Sequence, residues 1–402
     1  MLSLNRYRML DLSRMVPGPF TSHVLADLGM EVIKVEEPLP RYGMGRDGMT
    51  PGDLTPEEEV RYAAYNGIAR NKKSIALNLV DTAIRPKPQE VFYRLAKEAD
   101  VVLEGYRPGA LKWMGVDYET VKAHNPRIIY CSLTGFGQTG PYSKFPGHGT
   151  QFDALSGTIL LDQEGRPIPH PVPLGDLSGA LYATTSIVAA LLHREHTGEG
   201  QHIDVPLSGT AMSLMVGAAS QLARDGGKPR ESRRGERASL AYLTCKDGKL
   251  LTTSNSETIF WENFCKVLER PDWIPLYRKQ GPESDQMVRE VQEMFLTKNR
   301  AEWLEVLSKA ETCVAPVNTI GEAMEDPQMQ HVGMVWDMKH PVVGNVRQLG
   351  FPVRYSGEKV PQGKFAPYLG QHTREILSGS GYSSDEIAAF EKSGVVKSWQ
   401  GA

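Results

Sequence analysis

Between Tyr7 and Leu133, short β-branched runs alternate with helix-spaced segments, and this alternation points the chain to a layered α/β fold around a parallel sheet. YRMLDL (7–12) reads as a strand, GPFTSHVLADLG as a helix closing on Gly29, and EVIKVEE (31–37) as a second strand ending in acids. The pattern continues with SIALNL (74–79), a helix over EVFYRLAKEA (90–99), VVLEGY (101–106), a helix across ALKWMGVDYETVKAH (110–124) and the strand RIIYCSL (127–133). An open, doubly wound sheet of this kind binds ligands at the carboxyl ends of its strands, so function is expected there.

A long apolar helix is expected from Leu177 to about His193. Residues 223–239 are rich in Gly and charge and read as a linker into a second domain. Residues 240–330 suit a smaller α+β domain: AYLTCKDGKLLTTS reads as a hairpin turning at Lys246-Asp247-Gly248, followed by helical WENFCKVL and EWLEVLSKA. From about 335 the chain is again punctuated by Gly and Pro, as a surface-wrapping tail would be.

The 45 Lys and Arg nearly balance the 48 Asp and Glu, a formal charge of -3, so no global footprint for nucleic acid or an anionic membrane exists and any anion site must be local. Four scattered cysteines without a C-x-x-C argue against a zinc knot or a disulfide framework and for a reducing compartment, with the cytoplasm as the expected location. Arg6, Arg8, Asp11 and Arg14 interrupt any signal-peptide core, and SIVAALL (186–192) is too short to span a bilayer.

Several constellations carry chemistry. Gly135-Phe136-Gly137-Gln138-Thr139-Gly140 has dinucleotide-loop spacing, but Pro141, Pro146, Gly147 and Gly149 follow where a helix should open, so a Gly-rich loop passing close to something is the better reading. Arg70, Lys72 and Lys73 precede one strand and Arg107-Pro108-Gly109 follows another; they are either solvated surface charge or a cluster around one phosphorylated ligand. Asp176 precedes the most apolar helix, where it can serve as an N-cap or as a nucleophile, since helix amides favour the ionised carboxylate. His148, in the Gly-rich loop, is a surface imidazole or a proton-transfer group. Glu257 could partner it or merely favour a helix N-terminus. Phe152, Trp261, Met212 and Met215 could line an acyl pocket, though such residues are more often core. No His/Cys/Asp cluster has metal-ligand spacing, and no metal is expected.

Six blocks, Asp11 to Pro38, Arg70 to Leu79, Glu104 to Gly115, Asn125 to Tyr142, Gly175 to Gln201 and Ala366 to Thr373, together resemble the family III CoA-transferases of the CaiB/BaiF type, which include formyl-CoA transferase-like enzymes and 2-methylacyl-CoA racemases. The resemblance implies a Rossmann-like large domain built from both ends of the chain, 1–222 and 331–402, a smaller inserted α+β domain, and a homodimer whose subunits interlock like linked rings. It implies acyl-CoA and a free carboxylic acid as substrates, with coenzyme A entering as part of the substrate and no tightly bound cofactor. By the same resemblance CoA lies along Val16, Lys72, Lys73, Tyr106, Arg107, Ala110 and Met114. Where family members commonly place a basic residue after the second strand this chain has Glu37, so that either Arg41 or Arg46 substitutes or the contact is absent. Asp176 falls on the transferases' nucleophile, which stores the thioester energy as an aspartyl anhydride and then an aspartyl-CoA thioester. In the racemases the same aspartate works opposite a histidine supported by a glutamate, and His148 and Glu257 fall on those positions. The racemase loop G-H-D-I-N-Y is here Gly147-His148-Gly149-Thr150-Gln151-Phe152, and losing the polar neighbours of a proton relay favours the transferase. A non-catalytic CoA-binding subunit is a third possibility, against which the retained Asp176 speaks.

Overall fold

The computed structural model describes residues 4–38, 54–162, 164–168, 170–227, 241–279, 281–357 and 360–401. The chain divides into two compact units, one formed by 1–221 and 333–402 and the other by 222–332.

The larger unit is built on β1 (Arg8–Asp11), α1 (Pro17–Asp27), β2 (Glu31–Glu36), β3 (Lys72–Leu77), β4 (Val101–Glu104), β5 (Ile129–Thr134), α2 (Gly149–Ser156), α3 (Leu174–Thr197), β6 (Gln201–Pro206), α4 (Leu207–Ser213) and β7 (Val396–Lys397). Its sheet has the order β7-β3-β2-β1-β4-β5-β6. All neighbours pair in parallel except β7, which runs antiparallel to β3. The order reverses between β1 and β4, and a crevice forms at such a switch point. One face of the sheet buries Leu10, Ile33, Ile75 and Val102, and the other buries Met9, Val32, Leu103 and Cys131 against α1 and α3. Strands covered on both faces read as continuous apolar runs, which is why they were legible in sequence.

Both α1 and α3 lead back from the carboxyl edge of the sheet to the start of a parallel strand, so their N-termini share that edge. They pack side by side: Thr21 Oγ1 donates to the Ala180 carbonyl at 3.2 Å. Among the described residues α3 is long and apolar enough to cross a membrane by length and composition, and half of its most apolar stretch is buried inside the protein.

The structure departs from the sequence reading at several elements. The helix expected over 110–124 is two helices, Ala110–Met114 and Tyr118–His124, because Gly115 takes φ +75 and ends the first. The strand β6, the hairpin of Val335–His340 with Gly344–Leu349, and β7 were not anticipated. The C-terminal segment thus contributes to the sheet in addition to wrapping it: the amides of Asn78 and His372 donate to Val395 and Ser74 across the seam, at 2.9 and 3.0 Å. Of the expected linker, 228–239 lie outside the described residues, as do Arg41 and Arg46.

The smaller unit has a three-stranded antiparallel sheet, Tyr242–Thr244, Leu250–Thr253 and Val314–Pro316. Gly248 (φ +72) makes the expected tight turn. Its core is aromatic, with Trp261 and Phe264 fully buried and Phe295 stacked on Trp303 at 4.5 Å.

Candidate active site

Asp176 sits in the first turn of α3, but it does not cap it. Pro173 holds the N-cap position and offers no side-chain acceptor. Capping comes from a distant part of the chain: the buried Asp153 carboxylate accepts from the Leu174 amide at 3.2 Å and the Gly175 amide at 2.7 Å. Asp176 is therefore left with no helix amide to satisfy. Its Oδ1 is buried without a hydrogen-bond partner among the described residues.

Two glycines bring the helices together. A Cβ on Gly149 would lie 2.7 Å from Pro173 Cβ and 3.2 Å from Asp176 Oδ2, and one on Gly175 would lie 3.1 Å from Phe152 Cβ and 3.2 Å from Asp153 Oδ1. The first turn of α2 thus lies directly against the Asp176 carboxylate. Behind that turn stands α4, whose Thr210 accepts from Ser178 at 3.2 Å. The Asp176 carboxyl is pushed up to about 6, chiefly by burial and then by the Asp153 charge, while His148 pulls the other way. The result is a desolvated carboxylate with one free oxygen, suited to nucleophilic attack.

His148 is the N-cap residue of α2 and is exposed; its backbone N–H donates to Gln151 Oε1 at 2.9 Å. Glu257 belongs to the other unit, where it is the exposed N-cap residue of the helix Thr258–Val267. The Gly-rich loop opens no helix until Gly149. It folds over Phe152 instead, since a Cβ on Gly135 or Gly147 would lie 2.3 or 2.7 Å from that ring. Phe152 and Trp261 are core, each in its own unit, and Met212 is exposed.

At the switch point, Val16 is the half-buried N-cap residue of α1, and Tyr106 and Arg107 follow β4. Arg14 gathers this region. It donates to Tyr106 Oη at 2.7 Å, and it pairs with Glu37 beyond β2. A cation thus reaches the end of β2 from the β1 loop, in a place where the sequence suggested one was missing. Arg14 had been visible only as one charge among several near the N-terminus. Arg107 is exposed, makes no ion pair among the described residues, and rims a cavity of about 240 Å³ shared with Glu104, Tyr118, Ser132 and His202. Burial pushes the Glu104 carboxyl up to about 7. Ala110 is half-buried and Met114 is buried at the two ends of the short helix that follows.

Lys72 and Lys73, expected along the CoA path, have partners of their own within the protein. Both begin β3 at its amino end, away from the edge where the crevice opens. The Lys72 side chain is fully buried, with Nζ 3.0 Å from the Pro19 carbonyl, 2.7 Å from Ser22 Oγ and 3.6 Å from Asp11 Oδ2. Burial first, only partly offset by Asp11, pulls its ammonium down to about 8. Lys73 is held between Glu31 and Glu375, each at 2.8 Å.

A doubly wound α/β unit with a desolvated aspartate beside the carboxyl edge of its sheet has the architecture of proteins that bind ligands at that edge. The model of CoA-transferase family III matches residues 4–373, and the chain belongs to that family. It is 33% identical over 383 residues to human succinyl-CoA:glutarate CoA-transferase, an alignment covering 93% of this chain and 85% of the relative. It is 30% identical over 421 residues to the formyl-CoA:oxalate CoA-transferase of Escherichia coli O157:H7, covering 97% and 98%. Among solved structures, a CaiB/BaiF family protein from Brucella suis superposes with a TM-score of 0.75 at 26% identity, covering 94% of this chain and 99% of that one. A Mycobacterium tuberculosis protein gives the same TM-score at 25% identity, again covering 94% and 99%. The protein is a family III CoA-transferase.

Proposed function

We propose that the protein moves CoA from an acyl-CoA to a free carboxylic acid with Asp176 as nucleophile. The buried, unpartnered Asp176 Oδ1 is the observation that carries this reading. The carboxylate attacks the thioester carbon, the C–S bond breaks, and the CoA thiolate leaves with the electron pair, giving an aspartyl-acyl anhydride. The thiolate then attacks the aspartyl carbonyl to form an aspartyl-CoA thioester and release the first acid. A second carboxylate takes CoA by the same two steps reversed, so no thioester energy is lost to water. Exclusion of water falls to the loop 135–149 over Phe152.

The CoA moiety is proposed to run along Val16, Tyr106, Arg107, Ala110 and Met114, with Arg14 and Arg107 as the cations for its phosphates. Lys72 supports that region from within through Asp11. The relatives' names point to short dicarboxylates as acceptors, glutarate and oxalate among them. The apolar residues exposed along α3, Leu181, Tyr182, Val188 and Leu192, support an interlocked homodimer. Four unpaired cysteines suit the cytoplasm.

The test is to incubate succinyl-CoA with glutarate, and formyl-CoA with oxalate, and to quench during turnover with hydroxylamine. A hydroxamate at Asp176 and acceptor-dependent new thioester are expected, with Asp176→Ala losing about 1000-fold or more of the rate. Because the nucleophile must be ionised and its carboxyl is raised to about 6, kcat/KM should climb with pH through about 6 and then level off. Deuterium entering the α-position of an acyl-CoA from heavy water without any acceptor would overturn the reading in favour of racemisation by Asp176, His148 and Glu257.

A further inference from the structure

We infer that Asp153 is a positioning residue for the reaction: by taking the first free amides of α3 it denies them to Asp176, and it sets a second carboxylate beside the buried one. The inference rests on Asp176 being the nucleophile.

The geometry is specific. The amides at the start of a helix are its strongest anion donors, and a carboxylate accepting two of them becomes a weaker base. Here those of Leu174 and Gly175 go to Asp153, at 3.2 and 2.7 Å. Asp153 lies one helical turn after Gly149, so both residues stand on the α2 face that meets the start of α3. One supplies the cap and the other leaves room for the Asp176 carboxylate. Asp153 is itself 5% exposed and is held by its two amides, so its charge is compensated without a cation. A single turn of α2 therefore sets both the place and the basicity of the group on the neighbouring helix.

Among the described residues, His148 is the other charge acting on Asp176. His148 opposes Asp153 from the start of α2, and α4 carries no titratable residue. On α1, His23 and Asp27 face each other with Arg70 and Lys72. On β5 and β6, Cys131, His202 and Asp204 interact with Glu104, Glu119 and one another.

Asp153→Asn keeps a capping oxygen and removes the charge. Its acid limb in kcat/KM should move to lower pH by about one unit. At pH 8 kcat should fall several-fold, while KM for acyl-CoA stays unchanged, and Asp153→Glu should return the limb toward the parent's. A purely structural cap would lower thermal stability and leave the limb in place. A second readout does not need turnover: the protonated-carboxyl infrared band lost in D176N should titrate at lower pH in D153N than in the parent. If D153N does not fold, Asp153→Ser, which also keeps a neutral acceptor, takes its place. A limb and a band that both stay within a quarter of a unit of the parent's overturn the inference. If the parent forms no hydroxamate at Asp176 while the band still shifts, the functional reading fails and the coupling stands.

Discussion

Removing the Lys72 ammonium leaves the Asp11 carboxylate buried with Ser13 and Ser22 as its side-chain partners, whereas removing the Arg107 guanidinium strands no charge. The two cations, which look alike in sequence, should therefore fail differently. Lys72→Ala should lower the stability of the fold by about 3–5 kcal/mol in urea titrations, because breaking a buried pair exposes the cost of the remaining charge. Arg107→Ala should melt like the parent and raise KM for acyl-CoA about tenfold. An unchanged KM would remove Arg107 from the CoA path. Sequence put Asp176 just before the apolar helix, whereas it stands inside that helix's first turn, and sequence could not show that Asp153 does the capping: no local spacing joins residues 153 and 174, and only the tertiary contact between two helix starts does. Arg14 stayed hidden for the same reason. Its partners, Glu37 and Tyr106, lie just past the ends of other strands.

The contact between α2 and α3 is tight enough that one methyl group decides it. Gly149 has no positive φ, so Gly149→Ala carries no backbone penalty and its effect is steric. Its Cβ would meet Pro173 and Asp176, forcing the helices apart or turning the carboxylate. We expect a loss of about 1–3 kcal/mol in stability. Steady-state assays should show a kcat lower by about 10- to 100-fold. In sequence this glycine stood out only as a missing acid beside His148; in the structure it is the space the nucleophile occupies. The central parallel strands were readable from their buried apolar stretches, whereas the parallel edge strand β6, QHIDVP, alternates and was not. The small antiparallel pieces were not: Val335–His340 and Gly344–Leu349 alternate buried and exposed positions among Gly and Pro, and a two-residue strand such as β7 carries no periodicity.

At the scale of the whole molecule, the exposed stripe of Leu181, Val188 and Leu192 on α3 is too apolar for a surface left in water. Light scattering should return twice the 44.5 kDa chain mass, and a single-chain mass would overturn the homodimer. The large unit draws on two segments far apart in the chain, and β7 pairs with β3, whose residues Lys72–Leu77 are translated far earlier. A nascent polypeptide leaving the ribosome thus carries an open flank, with unmet N–H and C=O groups, for roughly 15–60 s at ordinary elongation rates. Chaperone dependence during synthesis, and sensitivity to stop codons that remove β7, are what such a late-closing seam entails.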